Sequence, residues 1–230
     1  MSKPCIKQFN VLYSIPPKIT YSKLFWLYIA GSLAGTGLEG VFCVFKYGHW
    51  ETHVVSLLGP FCIIYGIGAV GCYVGYTILY RKSKWIQFTL YVLMGFSLEL
   101  LCGLLLEFGL SMRAWNYSNH FFNIRGHVSL QMSLVWGIVG MAFSIIVPYI
   151  EVVLSKAEKK TWKVGCAIFT AIMAVDILLT SAAICRWSGR HFDIPPSNVL
   201  EQTIDQRYND EFMKKRFCEW QFLTKPILQN

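Results

Sequence analysis

The sequence predicts an all-α fold: a polytopic membrane helix bundle of about five transmembrane helices, followed by a C-terminal amphipathic helix. Three observations carry that expectation. Apolar residues make up 54% of the 230 positions. Charged residues make up only 15%, where a soluble domain carries about a quarter. The charges also gather in short blocks between long apolar runs, and the mean hydropathy is +0.43. The net charge of +8 is a nucleic-acid signal only if the cations form one surface; here they alternate with spans, as membrane topology requires. No nucleic-acid partner is expected.

Residues 1–23 read as an irregular arm, fixed locally by Pro16 and Pro17. Apolar runs near 24–45, 59–80, 85–107, 129–150 and 164–187 are each long enough to cross about 30 Å of hydrocarbon, so 24–187 is the bundle. Aromatic residues such as Trp26, Trp50, Trp85, Trp115, Trp162 and Trp187 mark the expected interfaces. Gly59 and Pro60 make 56–65 the segment most open to a re-entrant path. The first run is too long for a signal-peptide core. In the tail, 188–230, Pro195 and Pro196 end the approach from the membrane and Ser197 offers an N-cap. Val199, Leu200, Ile204, Tyr208 and Phe212 then recur at helical spacing. One helix near 198–215 is expected, lying on the membrane surface or capping the loops.

Lys3, Lys7, Lys18 and Lys23, then Arg81, Lys82 and Lys84, then Lys156, Lys159, Lys160 and Lys163 fall on one side of this topology. Lys46, Arg113, Arg125, Arg186 and Arg190 fall on the other. The positive-inside rule then places the N-terminus in the cytoplasm and the tail outside, in a multi-pass protein of the cell membrane.

Four acids interrupt the apolar runs: Glu39, Glu99, Glu107 and Asp176. An ionisable group at a helix centre costs on the order of 2.5–3.5 kcal/mol on insertion scales, so each needs a partner, a wet cavity or a task. Glu99 and Glu107 are eight residues apart, about 80° around a helix and roughly two turns in height. They can line one cavity wall, with Glu39 at a similar depth and Asp176 nearer mid-membrane. Arg113 follows Glu107 closely and can fold back over it as an ion pair that fixes helix register. Glu39 and Glu99 have no local partner in sequence and favour a substrate or ion path.

The glycine pairs 31/35 and 71/75 permit close helix packing, within the chain or across a dimer. The cysteines are scattered, with no metal-ligand spacing and no disulfide framework. No cofactor motif is present, and no GxxxxGK[ST] loop for ATP.

The stretches HWETHVVSLLGPFCIIYGIGAV, LELLCGLLLE, RAWNYSNHFFNIRGHVSL, SLVWG and DIPPSNVLEQTIDQRYNDEF together resemble the type IV ABC-transporter permease family of bacterial membrane proteins, over roughly 30–216. The positions that match are Glu39, Trp50, Glu51, Gly59, Pro60, Tyr65, Gly66, Gly68, Glu99, Glu107, Trp115, Tyr117, Phe122, Asn123, Gly126, Trp136 and Gly137. Asn116, His127, His53, Thr36 and Leu100 depart from the family pattern, a retuned charge set that changes the expected ligand.

The resemblance implies a membrane subunit driven by a separate ATPase, docked on the cytoplasmic basic loops at 81–84 and 151–163. It also implies a dimer, since five spans are few for a full path. On this reading Glu39, Glu51, Tyr65, Glu99, Glu107, Arg113, Trp115, Tyr117, Asn123, Arg125 and Trp136 line or roof an outward polar cavity for a small polar or cationic solute. Membrane lipids are the surrounding partner. Two other classes stand beside it: a membrane enzyme using the paired carboxylates on a lipid or isoprenoid, with no metal and no evident nucleophile, and a sensor or assembly subunit with a dry, ion-paired interior.

Overall fold

The computed structural model describes residues 16–50 and 54–223. The arm residues Lys3, Cys5 and Lys7, together with Glu51 and His53, lie outside the described residues. Five helices form the bundle: α1 Tyr21–Tyr47, α2 Ile63–Ile78, α3 Lys84–Leu110, α4 Leu130–Leu154 and α5 Lys160–His191. Two short helices follow, α6 Val199–Arg207 and α7 Asp210–Arg216. The strands are two-residue pairs: β1 Met112–Arg113 with β4 Gln221–Phe222, and β2 Asn123–Ile124 with β3 Val128–Ser129, both antiparallel.

Among the described residues four helices are long and apolar enough to cross a membrane, where five were expected. The run at 59–80 yields only the 16-residue α2, about 24 Å long. Backbone partners outside the helix explain the shortening. Leu58 N–H donates to Asp176 Oδ1 at 3.0 Å and Leu57 N–H to Thr180 Oγ1 at 3.0 Å. Arg216 donates to the carbonyls of Ser56 and Gly59, at 2.6 Å each from Nη2. Irregular backbone is tolerated at depth where protein groups satisfy it in this way. Burial holds the Arg216 guanidinium below its usual pKa, with Asp176 opposing that shift. Asp176, expected near mid-membrane as a line-breaking acid, is thus the cap of this segment; it also accepts from Ser56 Oγ.

Successive helices run antiparallel, and the glycines set their spacing. Gly31 faces Ala69 and Gly35 faces Tyr65 across α1 and α2; Gly71 meets Met94 and Gly75 meets Leu90 and Tyr91 across α2 and α3. The small-residue pairs therefore serve packing within the chain. Thr20, Ser83 and Ser129 cap α1, α3 and α4 through their side chains, which stops each helix where its apolar run begins.

At one end, called the basic end here, a 3₁₀ turn at Ser155–Glu158 links α4 to α5. Ser22 Oγ donates to Ala157 O at 2.9 Å, Thr20 pairs with Glu158, and Lys23 and Tyr73 both reach Glu151. The opposite, capped end holds residues 48–50 and 54–62, the 111–129 loop and residues 192–223. There Leu57, Met112, Trp187, Tyr208, Met213 and Phe217 form one buried cluster. Trp187 is therefore core and not part of an interfacial belt.

The tail takes the capping seat, as two helices where one was expected. Asn198, not Ser197, is the N-cap of α6. The break comes at Tyr208, whose ring enters the buried cluster and whose carbonyl accepts from Arg190 Nη2 at 2.9 Å. Asn209 then caps α7 by accepting from Phe212 N–H at 2.9 Å. Asp205 accepts from Arg186 and Arg190 and fastens α6 to the end of α5.

Candidate functional site

Each intramembrane glutamate sits four residues after a glycine: Gly35 and Glu39, Gly95 and Glu99, Gly103 and Glu107. Four residues are one helical turn, so glycine and carboxylate share a face. In each case the glycine leaves a notch that a ring from another segment fills. Tyr65 lies in the notch at Gly35, Trp136 at Gly95 and His127 at Gly103. The polar tip of each ring then reaches the glutamate one turn up. Tyr65 donates to Glu39 Oε2 at 2.6 Å, Trp136 Nε1 donates to Glu99 Oε1 at 3.0 Å, and His127 Nε2 meets Glu107 Oε2.

The partners beyond the ring separate the acids. Glu107 also pairs with Arg125, and Arg113 Nη2 stands 3.8 Å from it. The expectation that Arg113 folds back over Glu107 holds in direction, but Arg125 and His127 make the closer contacts. Arg125 further places its guanidinium over the Phe108 ring, 5.2 Å from the centroid. Glu107 is consequently the hub of a cation cluster, distinct from the wall it was expected to share with Glu99.

Glu99 keeps neutral company. Besides Trp136, its Oε1 accepts from the Tyr117 hydroxyl at 3.4 Å. Its Oε2 is buried and meets no donor among the described residues, and the residue is only 5% exposed. The Tyr117 phenol is pushed above its ordinary pKa, first by burial and then by the charges of Glu99 and Glu39. Tyr117 therefore lies within electrostatic reach of both acids, which joins Glu39, Tyr65, Glu99, Tyr117 and Trp136 into one neighbourhood between α1, α2, α3 and α4.

Other expected site residues are committed to building the 111–129 loop. Trp115 Nε1 donates to His127 O at 2.7 Å. Asn123 Nδ2 donates to the carbonyls of Ser118 and His120, and its Oδ1 accepts from Gly126 N–H. Asn116 caps the turn by accepting from Ser118 N–H at 2.9 Å. Phe122 and Arg125 hold left-handed backbone, at φ 48° and 53°, on either side of the β2 strand. Glu51 lies outside the described residues.

Two clusters were not anticipated. Lys23, only 5% exposed, Glu151 and Tyr73 form a buried ion pair at the basic end. An acid closing one apolar run and a lysine opening another could have signalled it. The clamp of Arg216 on Ser56 and Gly59 has no local signal, because its partners are 160 and 157 residues apart. The glycine-to-glutamate spacing is a local signal, visible in the sequence at 35/39, 95/99 and 103/107.

A family model described as "Putative ABC-transporter type IV" matches residues 26–181. No curated protein and no solved structure matches the chain.

Proposed function

The chain belongs to this type IV ABC-transporter family and is a multi-pass membrane protein, and from that premise we propose that it is the permease-like membrane subunit of a transporter. The solute site is the neighbourhood of Glu39, Tyr65, Glu99, Tyr117 and Trp136. The observation that carries this reading is Glu99: a buried carboxylate on a membrane-length helix, held by two neutral donors, with one oxygen that has no partner among the described residues. Such a group is expensive in hydrocarbon and is retained where it serves a path or a ligand. Its neighbour Glu107, engaged by two arginines and a histidine, belongs to the frame.

The energy source is a separate ATPase docked at the basic end, which the positive-inside rule assigns to the cytoplasm. The ties among Thr20, Lys23, Tyr73, Glu151 and Glu158 make the 155–159 elbow a firm mount. Arg81, Lys82, Lys156, Lys159 and Lys160 make no ion pair among the described residues, and so remain available to an acidic partner. With four long spans and one short helix, the translocation path is completed by a second copy or another membrane subunit.

The test is a mild-detergent pull-down of the tagged protein from native membranes, with partners identified by mass spectrometry. Stoichiometric recovery of an ATPase is expected, and its loss when Arg81, Lys82, Lys156, Lys159 and Lys160 are changed to glutamine. Recovery of the protein alone, or only as a homodimer, overturns the reading.

A further inference from the structure

We infer that the site around Glu99 recognises a protonated amine, an organic cation that carries N–H donors. The inference takes its place in transport from the permease reading, while its chemistry rests on the valences at the site. Tyr65 has one hydroxyl proton and gives it to Glu39. Tyr117 has one and gives it to Glu99. Trp136 has a single N–H and gives it to the same oxygen of Glu99. The single hydrogens of these three side chains are thereby spent. What remains are lone pairs on two phenol oxygens and Glu99 Oε2, which is buried and meets no donor among the described residues.

A site whose unfilled atom, among the described residues, is the carboxylate oxygen Glu99 Oε2 offers nothing to a phosphate or a carboxylate. A quaternary ammonium would satisfy the charge but bring no hydrogen to the orphan oxygen. A protonated amine supplies both, through charge-assisted hydrogen bonds. A divalent metal would require about six oxygen ligands, and among the described residues no group of metal-ligating side chains gathers here. The apolar parts of Trp136, Tyr65 and Tyr117 suit the carbon skeleton of an organic cation, and aromatic faces attract its charge.

The experiment uses the full chain in nanodiscs, titrated with n-butylammonium chloride, tetramethylammonium chloride and sodium chloride at equal ionic strength. Tryptophan emission and the unfolding midpoint are read together. Butylammonium should give a saturable response, at least about tenfold tighter than tetramethylammonium, as the loss of one charge-assisted hydrogen bond dictates. Glu99→Gln should abolish it. Glu99→Asp, which keeps the charge but withdraws the oxygen, should weaken it and serves if the glutamine variant fails to fold. Equal responses to the three salts, a selective response to sodium, or undiminished binding in a folded Glu99 variant would each overturn the proposal. Recovery of an ATPase without amine binding rejects the amine alone. Amine binding without an ATPase rejects the permease reading alone.

Discussion

Glu99 and Glu107 stand on one helix, two turns apart, each one turn past a glycine whose notch holds a ring. Their local sequences, GFSLE and GLLLE, are nearly interchangeable. Yet Glu107 meets Arg125, His127 and Arg113, while Glu99 meets Trp136 and Tyr117. One acid has both oxygens partnered; the other has, among the described residues, one oxygen that meets no donor. The difference teaches that a glycine-notch glutamate is a socket, and that the incoming loop or helix decides what the socket does. The 111–129 loop brings cations to the upper socket, and α4 brings an indole to the lower one.

The largest test of this contrast exchanges the carboxylates for amides. Glu107→Gln removes the acceptor of Arg125, which is half exposed, and of the buried His127, and should cost about 1–3 kcal/mol. Glu99→Gln removes a buried charge with no cation partner, so its unfolding midpoint should be unchanged or higher. Thermal unfolding in the same detergent reads both; equal losses would erase the distinction.

Filling the sockets comes next. Gly95→Ala places a methyl against Trp136, and Gly103→Ala places one against His127. Overpacking of this kind costs about 1–3 kcal/mol. Both variants should lose stability, and only Gly95→Ala should shift tryptophan emission, because it displaces the indole. An unshifted emission spectrum would show that the ring does not depend on its notch.

A third acid repeats the Glu107 arrangement outside the membrane. Asp205 lies between Arg186 and Arg190, and the hydrogen bond from Arg186, aided by Arg190 and opposed by burial, holds its carboxyl below the usual aspartate range. A carboxylate whose folded pKa is depressed lends stability that is full above its unfolded value, about 3.9, and is lost as pH falls through the folded value. The tail should therefore stay docked at neutral pH and release only below that range. Hydrogen exchange over 199–216 as a function of pH measures this; release on raising the pH would contradict the ion-pair account.

The smallest expected effect is that of Tyr117→Phe. Its hydroxyl donates over 3.4 Å, a long bond, so its loss should cost only about 0.5 kcal/mol. A loss as large as that of Glu107→Gln would place Tyr117 in the frame and not at the edge of the site.

Hydropathy, the spacing of charges and the side-chain caps made the membrane class, the helix order and most helix ends legible, because each depends on neighbours within a few turns. The predicted ends at 85–107 and 129–150 fall within one turn of α3 and α4. The family resemblance was legible for the same reason, as an ordered series of short motifs later matched over 26–181. The sequence also marked Glu39, Glu99, Glu107 and Asp176 as the acids whose partners had to be found.

What each acid meets was decided in three dimensions. Arg125 is 18 residues from Glu107, and Trp136 is 37 from Glu99. Tertiary contact also shortened α2, since Asp176 and Arg216 supply backbone partners that a continuous helix would have supplied itself. It broke the tail helix at Tyr208 as well, because burying that ring with Trp187 and Met213 outweighs continuing the helix. Local periodicity fixes where an apolar segment starts and stops. In hydrocarbon, where no water competes, the partner that folding delivers to a polar group settles whether that group is frame or site.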